Sequence, residues 1–120
     1  MFDPGVPAYP RGMTEHSGEV IRARVAFDGS NWAQSYAILS ELSRTGDISP
    51  EGLEMLSTTS FMLGRVDDMV SALERAHHGY LENGEIFPAV RTAIWLANHL
   101  ASRDRFALAS GWMDRAERLM

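Results

Sequence analysis

Short turn-forming segments divide most of the chain into stretches of helical length. Their spacing restricts the possible fold more than any other feature of the sequence. Apolar patterns with the period of a helix are repeatedly followed by a glycine, at Gly29, Gly46, Gly64 and Gly84. The Ser-Pro-Glu sequence at 49–51 is a strong helix start, because Ser caps a helix, Pro sets its first dihedral and Glu favours its positive end. No segment alternates apolar and polar residues as a half-buried strand does. The sequence therefore predicts an all-α protein.

The apolar periods predict six helices in one domain, at about 16–27, 32–43, 50–63, 66–81, 88–102 and from 105 onward. Residues 1–14 hold three of the five prolines and no apolar period. We therefore predict a flexible tail over 1–14 and a helical domain over 15–120. Loops of roughly 2–6 residues join antiparallel neighbours, so the helices should pair as three hairpins.

The three hairpins can be superposed, which indicates an internal repeat. Trp32 and Val66 lie 34 positions apart, and Phe106 follows Val66 by 40 positions. The superposition aligns three rows of small or apolar residues: Ala23, Ser57 and Ala97; Leu39, Leu73 and Met113; Leu42, Ala76 and Ala116. The six additional residues of the second offset fall within 77–87, where we expect a longer fourth helix or a longer loop. A 34-residue period of helix–turn–helix units is typical of stacked repeats.

The residues of these rows resemble the tetratricopeptide repeat family. In the middle hairpin the matches are Leu53, Leu56, Ser57, Gly64, Leu73 and Ala76. In the last hairpin they are Leu96, Ala97, Leu100, Phe106, Ala109, Met113 and Ala116. The first hairpin departs from the pattern at Arg22, where Leu is usual, and at Ser35, where Ala is usual. The resemblance implies a right-handed stack of about three hairpins, or six helices.

A second resemblance covers about residues 19–119. The strings LGRVDD (63–68), ERAHHGYLENG (74–84) and AIWLANHLASRDRFALASGWMDRAERL (93–119) are similar to the helical-repeat segment of bacterial LuxR-family transcriptional regulators. In those regulators a DNA-binding helix-turn-helix follows the segment, and these 120 residues contain no counterpart of it. The resemblance therefore implies a protein-interaction or self-association module in transcriptional regulation or signalling, without direct contact to nucleic acid.

Composition excludes several classes of function. The net charge of -5 gives no attraction for a phosphate backbone. All 11 basic residues are Arg and there is no Cys, so a thiol nucleophile, a Schiff-base lysine and a P-loop lysine are excluded. No run approaches the ~20 apolar residues of a membrane span, and the sequence contains no Gly-x-Ser-x-Gly, GxGxxG, HExxH or EF-hand motif. We expect a non-catalytic, cytoplasmic protein that needs no cofactor or metal.

The binding surface of a repeat stack is usually its concave face, formed by the first helix of each hairpin. Carried over from the family, the groove positions that should contact a partner protein or peptide are Arg24, Phe27, Glu54, Thr58, Phe61, Arg91 and Asn98. The Arg and Asn side chains are donors suited to a carboxylate, and the Phe rings supply apolar contact. The acidic residues at 51 and 54 weaken the case for an anionic partner. Alternatively, these residues only solvate the groove or pack on a neighbouring helix.

A small-molecule sensor is an alternative from another class. Trp95, His99 and Tyr80 could line a pocket between the second and third hairpins. A Trp at helical spacing more often belongs to a core, and packing is the interpretation we favour for Trp95.

A metal-dependent helical enzyme is a further alternative, because Glu74, His77 and His78 contain a Glu-x-x-His spacing that di-metal bundles use. None of the other helices supplies a second such spacing. The simpler interpretation is a polar helix face with one ring packed on the next hairpin.

The last helix carries an apolar stripe that suggests self-association, made of Trp112, Met113, Ala116 and Leu119. Repeat stacks need a polar outer helix to stay soluble. We expect the stripe to be covered by another copy of the chain, by the N-terminal tail, or by further repeats of a longer array.

Overall fold

The computed structural model describes residues 11–46, 48–102 and 105–120, without the side chains of 11–17, 102 and 106. This part of the chain contains six α-helices and no strand. The helices are α1 (Arg11–Asp28), α2 (Trp32–Thr45), α3 (Pro50–Met62), α4 (Val66–Glu82), α5 (Ile86–Ser102) and α6 (Phe106–Leu119). The predicted all-α fold of six helices is confirmed.

Helices α2, α3 and α4 start and end within two residues of their predicted bounds, because strong local signals mark them. The Ser49 hydroxyl accepts a hydrogen bond from the Gly52 amide at 3.1 Å, and Pro50 occupies the first turn of α3. Helix α1 begins at Arg11, earlier than predicted, so residues 11–14 are helical rather than tail. The rest of the predicted tail, residues 1–10, lies outside the described residues.

The turn between the two helices of the first hairpin and the corresponding turn of the second hairpin each contain a residue in the left-handed conformation. Gly64, which follows α3, has a φ of 76°. Ser30, its counterpart 34 positions earlier, has a φ of 61° and is the only non-glycine in the described chain with a positive φ. The backbone bend is therefore repeated although the residue that favours it is not.

The helices stack in sequence order as three hairpins, α1–α2, α3–α4 and α5–α6. Within each hairpin the helices pack on each other, and α2 and α4 also pack on the first helix of the next hairpin. The molecule is elongated, with extents of 54 × 31 × 23 Å and a radius of gyration of 15.7 Å, against about 14 Å for a compact domain of this length. None of the described helices has the length and apolar content needed to cross a membrane.

The first of the aligned rows occupies equivalent places in the three hairpins. The small residues Ala23, Ser57 and Ala97 are all buried. The hydroxyl of Ser35, which stands where Ala is usual, donates to the Ala23 carbonyl at 3.2 Å, so α1 and α2 are joined by a buried hydrogen bond instead of by a methyl contact. Helices α4 and α5 have 17 residues each, against 14 in α2 and 13 in α3. Some of the six additional residues between Val66 and Phe106 therefore lie in α4, as expected.

Candidate functional site

An apolar cleft opens at the joint between the second and third hairpins. Its volume is about 530 Å³. Its sides carry Glu54, Thr58 and Phe61 from α3 and Trp95, Asn98 and His99 from α5. Its floor includes Met69 and Leu73 of α4, which the sequence analysis did not assign to a site. We call this space the joint cleft.

The joint cleft exists because α5 does not repeat the packing of α3. On α3, Met55 and Thr59 are buried, and Met55 lies in one cluster with residues of the first hairpin. Their counterparts 40 positions later are Trp95, which is exposed, and His99, which is half-buried. The two joints are otherwise built alike, since α2 packs on α3 in the first and α4 packs on α5 in the second. Positions that are buried on α3 thus line an accessible cleft on α5.

Two exposed aromatic rings stand on opposite sides of the joint cleft. Phe61 is 52% exposed and Trp95 is 60% exposed. The Phe61 ring meets the His99 ring edge to face, with centroids 5.9 Å apart. The interpretation of Trp95 as a core residue is wrong, because its side chain lines the cleft and is mostly exposed. Apolar rings of this kind are anchors for a ligand side chain when they are not part of a core.

One end of the joint cleft is closed by an ion pair between its two walls. The Arg91 guanidinium of α5 donates to both Glu54 carboxylate oxygens of α3, from Nε at 3.0 Å and from Nη2 at 2.5 Å. This hydrogen bonding to Glu54 raises the pKa of Arg91. Arg91 was predicted to clamp a partner carboxylate, but its donors already bind Glu54. This contact holds α3 and α5 at a defined distance instead.

The buried Tyr80 hydroxyl of α4 also donates to Glu54. Burial is the main reason that the pKa of Tyr80 is raised above its usual value, and the hydrogen bond to Glu54 is the second. Tyr80 was predicted to line a pocket with Trp95 and His99. It lies behind Glu54 instead and is absent from the lining of the joint cleft. Its role in the described structure is to fix the Glu54 carboxylate.

The predicted groove is divided. Glu54, Thr58, Phe61 and Asn98 come together in the joint cleft. Arg24 and Phe27 of α1 are not among its lining residues. The Arg24 guanidinium lies instead 5.9 Å from the centroid of the Phe27 ring. The Phe27 ring in turn packs edge to face on Trp32 at 5.3 Å. These residues form a local cluster in the first hairpin, consistent with the alternative of packing on a neighbouring helix.

The proposed metal ligands on α4 are not arranged as a ligand set. His77 is fully buried, with Nδ1 2.8 Å from the Ala89 carbonyl oxygen and its ring centroid 5.2 Å from that of Trp112. His78 is exposed, and in the described chain no three His, Asp or Glu side chains are placed to hold a metal ion. Desolvation, more than the nearby charges, lowers the pKa of His77. His77 is thus the ring packed on the next hairpin, and the structure does not favour the metal-dependent enzyme.

The stripe predicted for self-association mostly faces the chain's own core. Ala116 is fully buried in one cluster with Val90 and Ala93 of α5. Trp112 and Leu119 are half-buried against the same cluster. Met113 is the member that remains exposed, at 36%. Ala116 therefore cannot contact another copy, and three of the four residues bind α6 to α5.

Comparison of the chain with protein-family models, with curated proteins and with solved structures gives no match. The geometry of the joint cleft is therefore the basis on which a function can be argued.

Proposed function

We propose that the chain is a non-catalytic interaction module that binds an extended or helical segment of a partner protein in the joint cleft. The observation that carries this proposal is the pair of exposed rings, Phe61 and Trp95, on the facing walls of an apolar space of about 530 Å³. A soluble chain gains nothing from exposing two large rings beside an apolar floor unless another molecule covers them.

The chemistry of the cleft favours an apolar anchor over an acidic one. An aromatic or long aliphatic side chain placed between Phe61 and Trp95 would contact Met69 and Leu73 below. Thr58 and Asn98 are exposed at the rim, where they can hydrogen-bond to the backbone of the bound segment. Because Arg91 is neutralised by Glu54, the cleft offers no free cation from this pair to a carboxylate. The expected partner segment is apolar and bears no required negative charge.

The ion pair between α3 and α5 supports a preformed site. Glu54 is held by Arg91 from one wall and by Tyr80 from the floor helix. Such a link limits movement of the third hairpin relative to the second, so less ordering is needed on binding. A cytoplasmic role in transcriptional regulation or signalling is the context that the resemblance to LuxR-type regulators suggests for this module.

Selection from a random peptide library displayed on phage tests the proposal. We expect peptides with a Trp, Phe, Leu or Met anchor to be enriched on the wild-type chain. The same peptides should lose binding to the Phe61→Ala, Trp95→Ala double variant by about 100-fold, since two anchors of this kind are typically worth about 2–3 kcal/mol together.

The matched control is Phe87→Ala, which removes a strongly exposed ring on α5 outside the cleft. It should leave peptide binding unchanged. Enrichment that is equal on the wild-type chain and on the double variant would contradict the proposal, as would a requirement for acidic peptides that depends on Arg91.

A small-molecule sensor remains the second candidate, and the cleft volume is the observation that favours it. Ligand pockets commonly enclose about 300–1,000 Å³ with mostly apolar walls and a few polar groups. Trp95 and His99 would then contact the ligand directly. Anilinonaphthalene sulfonate is a suitable apolar probe: saturable binding that Trp95→Ala abolishes, without selection of any anchored peptide, would favour the sensor over the peptide-binding module.

A further inference from the structure

The α1 end of the stack exposes a surface of the kind that the internal joints bury. Ile21 and Val25 are 62% and 66% exposed. Their counterparts 34 positions later, Met55 and Thr59, are buried, and Met55 shares a cluster with residues of α2. Nothing in the described chain covers the α1 row. Helix α1 thus presents the side that α3 uses to pack on the preceding hairpin.

The α6 end exposes the complementary side of a joint. Met113 is partly exposed, whereas its counterparts Leu39 and Leu73 are buried. Leu39 lies in one cluster with Leu53 and Met55 of α3, and Leu73 in one cluster with Leu96 of α5. The position of Met113 is therefore the one from which a hairpin contacts its successor.

Charges at matching positions of the two ends have opposite signs. In the joint between the first two hairpins, Ser40 and Ser43 of α2 line one depression together with Leu56 of α3. The counterpart of Leu56 at the α1 end is Arg22, and the counterparts of the two serines at the α6 end are Asp114 and Glu117. If the α6 end of one copy met the α1 end of another in the same register, Arg22 would face both carboxylates.

Two acidic groups, Glu19 and Glu41, also lie near this position. Arg22 binds Glu19 at 3.0 Å, but this ion pair is exposed and easily exchanged. Glu41 is the counterpart of Arg75, which lines the same depression, so it brings a negative charge to the joint. In the internal joint Arg75 donates to Ser43, so in the stack Glu41 would lie beside Glu117. Arg44 binds Glu41 at 2.5 Å in an ion pair that is also exposed, and brings a positive charge to the same place.

From these matches we infer that the chain stacks on copies of itself, with the α6 end of one copy against the α1 end of the next. The joint follows the register of the internal joints and places Met113 near Ile21 and Val25. This contact is heterologous, because two different surfaces meet, so it can extend beyond a dimer. It leaves the joint cleft uncovered and does not depend on the function proposed for that cleft.

Analytical ultracentrifugation of the full chain, from about 10 µM to about 1 mM, tests the inference. The average mass of the wild-type chain should rise past that of a dimer. Val25→Asp blocks the α1 end and Met113→Asp blocks the α6 end, so each variant alone should stay monomeric. A mixture of the two should form dimers and nothing larger, because only one pair of intact ends is present.

A charge exchange provides a second, independent measurement. Arg22→Glu alone, and the Asp114→Arg, Glu117→Arg double variant alone, should each weaken association at least about tenfold. Their mixture should assemble again, because each copy then meets an end of opposite charge. Phe87→Asp is the matched control, since it changes an exposed ring outside both ends and should associate like the wild-type chain.

Circular dichroism establishes that each variant keeps the helical content of the wild-type chain. A wild-type mass that stays monomeric over the whole range overturns the inference. Association that survives Val25→Asp but not Met113→Asp overturns it as well, since that result describes a symmetric dimer of α6. Either result leaves the peptide-binding proposal intact.

Discussion

Gly79 of α4 lies against Pro50 at the start of α3, so close that a Cβ on residue 79 would come within 2.8 Å of the Pro50 Cγ. The absence of a side chain at residue 79 therefore sets how closely the two helices of the middle hairpin approach each other.

Gly79→Ala should destabilise the chain although Ala is the better helix former. Overpacking against the rigid proline ring costs typically about 1–3 kcal/mol, which exceeds the gain of about 1 kcal/mol in helix propensity. Urea unfolding measures the difference. Gly111→Ala is the matched control, because a Cβ there has no neighbour within 4 Å. It should stabilise the chain, and equal effects of the two substitutions would contradict the close approach.

Ser30→Gly should stabilise the chain. Ser30 has a φ of 61°, a conformation that is unfavourable by roughly 1–2 kcal/mol for a residue with a Cβ. Glycine removes this strain but loses more chain entropy, so we expect a net gain of about 0.5–1 kcal/mol. Thermal unfolding should show a higher midpoint. Gly64→Ala, at the equivalent turn, should shift the midpoint in the opposite direction.

Stability should fall when the pH drops below about 6.5. Burial lowers the pKa of His77 in the folded chain from its usual value of 6.5. Below that pH the unfolded chain binds a proton that the folded chain does not, so acidification favours unfolding. Urea midpoints at several pH values from about 5 to about 7.5, on both sides of the usual value, measure the slope. His77→Gln should reduce this slope, whereas His78→Gln, at an exposed ring, should retain it.

Stability should also fall above pH 10. The pKa of Tyr80 is raised in the folded chain from a usual value of 10.0, so there the unfolded chain releases a proton that the folded chain keeps. One such proton lowers the free energy of unfolding by at most about 1.4 kcal/mol per pH unit. Tyr80→Phe should flatten the alkaline slope. Tyr36→Phe is the comparison: the hydrogen bond to Asp68 also raises the pKa of Tyr36, but its ring is more exposed, so this variant should flatten the slope less.

Local signals made the helices and the repeat rows predictable from the sequence. The caps and breakers at Ser49, Pro50 and Gly64 act within one turn, and the 34-residue offset places Ala23 and Ser57 at the same kind of contact. Such features depend on neighbours in sequence. The start of α1 at Arg11 was not predicted, because three prolines within 1–14 indicate a tail, and no capping signal marks a helix that begins directly after the last of them.

The joint cleft was only partly predictable, because it depends on how two hairpins meet. Four of its residues were named from the family groove, yet the sequence contains no sign that Arg91 and Glu54, 37 positions apart, would bind each other. Trp95 shows the same difficulty. Its helical spacing indicated a core residue, but the way in which the second and third hairpins meet leaves its indole exposed in the cleft.

The position of the cleft between two hairpins has a consequence for how the molecule unfolds. In a linear array the terminal unit frays first, and its opening is governed by its one neighbour. A ligand seated between Phe61 and Trp95 would bridge the terminal unit and that neighbour, so occupancy would slow amide hydrogen exchange in α5 and α6 while exchange in α1 kept its rate. Slower exchange confined to α5 and α6 would then report binding in the joint cleft.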